Sequence, residues 1–297
     1  MSKQDFMLLG LVSQTSVHAG SGDTDGAVDL PIQREAHTGY PVVYGSSLKG
    51  AMRAAADLRS SSQALVNTLF GPEHLGKGAT ADQIFAGSWM VSDARLLWLP
   101  IRSLTTHTRL VTCPAILRRL SRDVARVGAK ALPGIDSWQA KTKDATALVA
   151  TACDSSLYLE EYRFKTEVEP EVGKWAETLA AFHPDMAAEL KQQLTVISDD
   201  MFAHLCSAAI PVHPHIAIDS KTKTVLPGAL WYEESLPPET GMYVLLGATA
   251  SRSGTAESAS ALLNSGWEML FGATPYLQVG ANETTGMGWF HVTRVEG

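Results

Sequence analysis

The chain is short of cysteine, of basic charge and of long apolar runs, and each shortage removes a class of protein. Its three cysteines, Cys113, Cys153 and Cys206, are odd in number, far apart and without CxxC spacing. That excludes a disulfide framework and a thiolate zinc site, and leaves buried or free thiols. No apolar run approaches the roughly 20 residues of a membrane helix, the longest being strand-length pieces such as Tyr243 to Leu246. Near the N-terminus, Lys3 followed by Phe6 to Val12 imitates an export signal, but Gly10 interrupts the run and Ser13-Gln14 ends it. The stretch reads as a first β-strand, and the expected location is the cytoplasm, with no membrane partner. Basic residues number 24 against 31 acidic, a net charge of −7, opposite to most isolated nucleic-acid-binding domains. A local concentration of cations could override that balance, since fields decay over about 8 to 10 Å.

What remains is an ordinary folded composition. At 297 residues, 45% hydrophobic and 19% charged, the chain can bury a full core and gives no ground for disorder. Its length suits one decorated domain or two small ones, and the pattern favours one, spanning residues 1–297. Met7 to His18 reads as a strand followed by a glycine-rich turn, Gly20 to Gly26. Tyr40 to Tyr44 leads through Gly45 into a helix with Ser46 as its N-cap. Residues 60–82, rich in Ser, Gly and Thr, read as an insertion, and Phe85 to Leu99 as extended chain. Pro114 opens a helix with Ile116, Leu117, Leu120, Val124 and Val127 on one side. Residues 128–155 read as a second irregular insertion, Leu157 to Val168 as one strand, and Glu171 to Leu194 as helix broken near Pro184. Asp199 to Ala208 reads as a short helix. His213 to Ile218 and Leu230 to Glu234 flank a polar tip, Asp219 to Lys223, which predicts a protruding β-hairpin over about 209–240. A strand at Met242 to Ala248, a helix at Ala256 to Phe271, a short strand at Leu277 to Val279, a glycine-rich loop at 280–288 and a strand at Trp289 to Val295 complete the chain. Strands interspersed with helices, without strict βαβ alternation, define an α+β class.

Four segments could carry chemistry. Gly45-Ser46-Ser47-Leu48-Lys49-Gly50-Ala51-Met52-Arg53 is a turn entering a helix, whose first N–H groups and dipole favour an anion. Lys49 and Arg53, four apart, project from one face beside it. The unit lacks the second glycine of a Walker loop, and a plain capped surface helix would carry the same residues. The loop with Gly280, Asn282, Thr284, Thr285, Gly286 and Gly288 allows a backbone to approach closely, although a β-turn has the same composition. Arg118, Arg122 and Arg126 stripe a helix face, with Arg102, Arg109 and Arg119 nearby in sequence; a solvated face is the alternative. Asp29, just before Leu30-Pro31, could bind a divalent cation or take a proton from a ribose 2′-OH, with His18 as an acid or orienting group. Most aspartates in such loops are caps or ion-pair partners. His213 and His215 share a strand face but lack a third metal ligand, and a surface role in the hairpin is preferred. No GxSxG elbow is present.

In order along the chain, Thr15-Ser16-Val17-His18-Ala19-Gly20-Ser21-Gly22, Val28-Asp29-Leu30-Pro31-Ile32-Gln33-Arg34-Glu35, His37-Thr38-Gly39-Tyr40-Pro41-Val42 and Gly45-Ser46-Ser47-Leu48-Lys49-Gly50 resemble the RAMP superfamily, the repeat-associated proteins of CRISPR systems. The second and third stretches resemble specifically the backbone subunits of type III-B, Cmr-type complexes. Further likeness lies at Leu69-Phe70-Gly71-Pro72, Ile197 to Phe202, Trp231 to Glu234 and the last glycine loop, and is weakest at about 128–155. The resemblance implies an RRM-like, ferredoxin-type palm with a β-hairpin thumb. It implies a helical stack of copies along a guide RNA, partnered by a large polymerase-like subunit, a small subunit and other RAMPs. It also implies metal-dependent (Mg²⁺ or Mn²⁺) endonucleolytic cleavage of complementary target RNA at regular intervals, by 2′-OH attack on phosphorus. Asp29 is then the catalytic residue or metal ligand, Lys49 and Arg53 contact the guide backbone, and Glu233 or Glu234 of the thumb stands near the site. Ser235 stands where some relatives carry an aromatic. The competing expectations are a non-cleaving backbone subunit of another CRISPR effector and a phosphate-ester-binding enzyme that uses Ser46 to Arg53.

Overall fold

The computed structural model describes residues 5–24, 26–73, 84–128, 132–135, 137–143, 145–152, 156–254 and 256–295. In chain order the first elements are β1 (Asp5–Ser13), β2 (Val42–Val43), α1 (Gly45–Arg59), α2 (Gln63–Phe70), β3 (Trp89–Val91), β4 (Ala94–Ser103) and β5 (His107–Thr112). There follow α3 (Pro114–Arg126), α4 (Trp138–Lys141), β6 (Thr146–Val149), β7 (Ser156–Leu159), β8 (Tyr162–Val168), α5 (Pro170–Ala180), α6 (Ala187–Gln193), β9 (Leu194–Val196) and α7 (Asp199–Ala208). The last are β10 (Val212–Ile218), β11 (Val225–Glu234), β12 (Gly241–Ala248), α8 (Ala259–Phe271), β13 (Tyr276–Gln278) and β14 (Trp289–Val295). The class is α+β. Among the described residues, no helix is long and apolar enough to cross a membrane.

The apolar run in β1 has no polar alternation, as expected of a strand covered on both faces. Met7, Leu9 and Leu11 pack into one hydrophobic cluster, which also takes Leu48 and Met52 of α1 and Leu262, Leu263 and Leu270 of α8. Leu8 and Val12 pack into another, with Leu117, Leu120 and Val124 of α3 and Val172, Trp175 and Leu179 of α5. Gly10 lets the chain cross there, because a Cβ at this position would sit 2.1 Å from the carbonyl oxygen of Phe182. The sheet runs β13-β14-β1-β12-β4 and continues through β5-β9-β6-β8-β7, where a single bridge between Ser103 and Leu159 returns it to β4. That second half curls into a ring. β10 and β11 form a separate two-stranded ladder, carrying Ile216, Ile218, Val225 and Leu230 exposed.

Several boundaries differ from the sequence reading. Residues 128–155 hold the short α4 and β6, because Trp138 and Ala147 to Val149 are buried against the ring. Leu157 to Val168 is a hairpin of two strands, turning at Glu160 with φ of 50°. Within 60–82, α2 is capped by the Ser62 hydroxyl, and residues 74–82 lie outside the described residues, as does Cys153. Cys113 and Cys206 are buried free thiols. The N-cap of α1 is Tyr44, not Ser46, so both serines fall in the first turn.

One buried group gives the fold an acid limit. His183 sits in the second core against Trp98, its Nε2 without a partner among the described residues. Its pKa is pushed down to about 3, first by burial and then by the neighbouring His291. The unfolded chain protonates this histidine near its ordinary value of 6.5 and the folded chain does not. Its contribution to stability is therefore intact above 6.5 and lost as pH falls, at about 1.4 kcal/mol per pH unit. Urea midpoints should drop between pH 6.5 and 5, and His183→Leu should flatten that limb.

Candidate functional site

Asp29 is held from the hairpin. Its segment runs beside the root of β11, where the Leu30 N–H donates to the Tyr232 carbonyl at 3.0 Å and the Glu234 N–H donates to the Leu30 carbonyl at 3.0 Å. The Tyr232 N–H donates to Asp29 Oδ2 at 2.7 Å. Pro31 favours the extended backbone at Leu30 that this pairing needs. Asp29, half-buried, lines an open cleft of about 330 Å³ with Asp23, Thr24, Leu30 and Trp231.

His18 and Glu233 meet next to it. His18 is buried, and its Nδ1–H donates to the Glu234 carbonyl at 2.7 Å, which leaves Nε2 as the basic nitrogen. Glu233 Oε1 lies 3.9 Å from that Nδ1 and accepts a hydrogen bond from Asn282 Nδ2 at 2.5 Å. The glycine loop thus reaches the site through Asn282, which adopts a left-handed φ of 63°. Gly280 is required there, since its φ is 92° and a Cβ would come 2.3 Å from the His18 carbonyl oxygen. Thr284, Thr285 and Gly286 stay exposed on the outside of this loop, whereas Gly288 is buried and its N–H donates to the Ser16 carbonyl.

Glu234 belongs to a different network. Side chains alternate along a strand, so it faces away from Glu233. Its Oε2 accepts from the Ile32 N–H at 3.1 Å, and its Oε1 pairs with Arg34, which also donates to the carbonyls of Gly39 and Cys206. Both carboxylate oxygens of Glu234 are engaged in holding the 30s segment to the hairpin. Gln33, a buried residue that sequence reasoning did not single out, ties the same segment to α1. It donates to Ser47 Oγ and to the Gly20 carbonyl at 3.0 Å, and accepts from the Tyr44 N–H at 2.6 Å. The only sequence signal for Gln33 was a polar residue flanked by Ile32 and the ion-paired Arg34.

The entry of α1 is partly occupied by the protein itself. Asp93 Oδ1 accepts the Gly45 N–H at 2.7 Å, so one donor of the expected anion cradle is already used. Ser46 remains exposed. Lys49 donates to the Trp89 carbonyl at 3.0 Å, and burial, then Arg252 and Arg53, hold its ammonium below the usual lysine range. Arg53 donates to the Gly71 carbonyl at 2.7 Å and lies 3.8 Å from Asp57, with Nη2 enclosed and unpartnered among the described residues. Arg252 is thus a third cation at this spot, with no local sequence pattern to announce it.

The arginine concentration expected to offset the net charge is largely neutralised. Arg118 pairs with Asp199 at 3.2 Å, Arg119 with Glu35 at 2.5 Å and Arg102 with Glu160 at 2.8 Å. Arg109 is buried and donates to Thr195 Oγ1. Arg122 and Arg126 are exposed, Arg126 lying over the Phe6 ring. α3 packs chiefly on the sheet face opposite α1, so the stripe and the helix entry do not converge. On the hairpin, His215 stacks on Trp231. No group of three or more His, Cys, Asp or Glu suited to a metal occurs among the described residues. The cleft offers a cation the carboxylates of Asp29 and Asp23, which fit an ion held mainly by water and phosphate oxygens, as Mg²⁺ often is, rather than a protein cage.

A buried His–Glu–Asn contact and a backbone-pinned aspartate lie along the root of β11, in a chain that matches a known family. Residues 11–291 match the model of the RAMP superfamily, to which the chain belongs. It is 35% identical, over 97% of its length and 95% of the relative's, to the CRISPR system Cmr endoribonuclease Cmr4 of Pyrococcus furiosus. The crystal structure of oligomeric Cmr4 from Pyrococcus furiosus is 26% identical with a TM-score of 0.72, covering 99% of this chain and 100% of that one. A chain in the cryo-EM structure of the type III-B Cmr-beta complex bound to cognate target RNA shares the fold, with a TM-score of 0.74 at 20% identity over 98% of this chain and 97% of that one.

Proposed function

We propose that this chain is the repeating backbone subunit of a type III-B CRISPR ribonucleoprotein, holding guide RNA and cutting paired target RNA at Asp29. The observation that carries the reading is 35% identity, over nearly the whole chain, to an endoribonuclease of that class. The order β14-β1-β12-β4, with α1 and α8 on one face, supports an RRM-like, ferredoxin-type palm, and β10-β11 supports its thumb. Partners on this reading are the guide, the complementary target, further copies of the chain, a large polymerase-like subunit, a small subunit and other RAMPs, in the cytoplasm.

The reaction is in-line attack of a ribose 2′-OH on the adjacent phosphorus, leaving a cyclic phosphate and a 5′-hydroxyl. With Oδ2 fixed by the Tyr232 N–H, Asp29 presents Oδ1 either to the 2′-OH proton or to a divalent ion. Bound there, Mg²⁺ or Mn²⁺ would neutralise charge developing on the phosphate. His18, oriented by the Glu234 carbonyl and flanked by Glu233, is the candidate acid or orienting group. Because in-line attack needs a distorted RNA backbone, positioning by the hairpin contributes as much as proton transfer.

Expression with its native gene neighbours tests the reading: the purified protein should carry a small guide RNA and cut RNA complementary to it. A preparation free of small RNA overturns it. Lys49 and Arg53 are assigned to the guide backbone, supported by the third cation, Arg252, that joins them at the α1 entry. Lys49→Ala and Arg53→Ala should each weaken guide retention and lower the slope of log affinity against log salt by about one. An unchanged slope in a salt titration returns them to a purely structural role.

A further inference from the structure

The hairpin carries an aromatic pair that the cleavage chemistry does not use. His215 and Trp231 are directly opposite in the β10–β11 register. Their rings stack with centroids 5.4 Å apart and planes 13° from parallel. Both are half-buried, so the pair is neither core nor free in solvent. Trp231 is also the hairpin's contribution to the cleft that Asp29 lines. The next residue, Tyr232, holds the Asp29 carboxylate through its N–H. By strand alternation Trp231 shares its face with Glu233, the acid beside His18. Indole, carboxylate and acid are therefore fixed to three consecutive residues of one strand.

An indole at the wall of a cleft, braced from behind by a second ring, presents a flat π-surface to whatever enters. Nucleobases are the flat partners that an RNA strand brings to such a surface, and stacking on an aromatic ring tolerates every base because each has a π-face. We propose that Trp231, backed by His215, is a stacking platform for the target nucleobase beside the phosphate that Asp29 serves. It acts as a positioning residue, which turns the ribose so that its 2′-OH lines up with the scissile bond. The proposal rests on the RNA-cutting reading above and adds to it the residue that sets the nucleotide's orientation.

The test uses the assembled ribonucleoprotein with its natural guide, single-turnover conditions, and targets carrying an abasic nucleotide at each position flanking the cut. Trp231→Ala should slow cleavage roughly tenfold or more, as expected for loss of base–aromatic stacking, and Trp231→Phe should restore most of the rate. One abasic position should slow the wild-type complex to a similar extent and add nothing further to Trp231→Ala. Exchanging that base among the four should change little. Wild-type rates for Trp231→Ala overturn the proposal, as does an abasic penalty of full size in that variant. Guide retention by the Trp231→Phe complex controls for folding. Asp29→Ala cutting at the wild-type rate would be a separate result, overturning the cleavage assignment, while the coupling between Trp231 and the base stands or falls by its own measurement.

Discussion

Replacing Asp29 by Ala in the assembled complex is expected to abolish target cleavage while guide and target binding survive. The hairpin fixes one oxygen of this carboxylate, so substitution removes charge from a held position instead of loosening a surface loop. Loss of a general base costs on the order of 10² to 10⁴ in rate, and loss of a metal ligand can appear equally severe. Asp29→Asn separates the two roles, since its side-chain oxygen can still accept from the Tyr232 N–H. If Asp29 is the base, added metal restores nothing to Asp29→Asn. If it is a ligand, raised Mg²⁺ or Mn²⁺ recovers part of the rate. Single-turnover cleavage of labelled target reads both, and unchanged cleavage in Asp29→Ala would falsify the catalytic assignment while leaving RNA holding untouched.

The second large effect is on stability. Glu234 is buried, with its partner Arg34 only partly exposed, and removing one member of such a pair leaves an uncompensated charge at a cost of about 3 to 5 kcal/mol. Glu234→Ala and Arg34→Leu should each lower the denaturation midpoint accordingly and detach the 30s segment from the hairpin. The double variant Arg34→Leu with Glu234→Leu should recover much of the loss, because two apolar groups leave no orphan charge. This series also decides between structural and catalytic roles for Glu234. A Glu234→Gln complex that is as stable as wild type yet fails to cleave would move Glu234 into the reacting machinery; parallel losses keep it in the scaffold.

Much of the fold was legible where one physical signal dominates. The closing strand Trp289–Val295 and the helix Asp199–Ala208 fall where periodicity and capping put them, and Pro114 opens its helix as a proline at N1 should. The hairpin was announced by a polar tip between two β-rich runs. Legibility failed where tertiary burial overrides composition, as in 128–155, whose Ala147 to Val149 become a strand only because the ring offers them partners. The cluster of Lys49, Arg53 and Arg252 joins residues some 200 positions apart in the chain, so spacing could not reveal it. The arginine stripe shows the reverse limit of spacing. Helical spacing identified a common face, but Asp199, the acid that pairs with its first member Arg118, comes from a distant segment, and Glu35 takes the neighbouring Arg119. His18, Asp29 and Glu233 were individually nameable from family likeness, whereas the Asn282 contact and the Gln33 tie needed coordinates.

The Tyr232–Asp29 bond has a consequence for how such a chain can vary over generations. A one-residue insertion or deletion in the lower part of β11 would turn Trp231 and Glu233 to the opposite face and carry the Tyr232 donor away from its carboxylate. Point substitutions there degrade single functions; a change of length removes all of them at once. Beyond Ile216 the ladder is already irregular, and the tip, Asp219 to Thr224, makes its hydrogen bonds within itself. Changes of length are therefore expected at the far end of the hairpin, where the arm can grow or shrink while the root keeps its register.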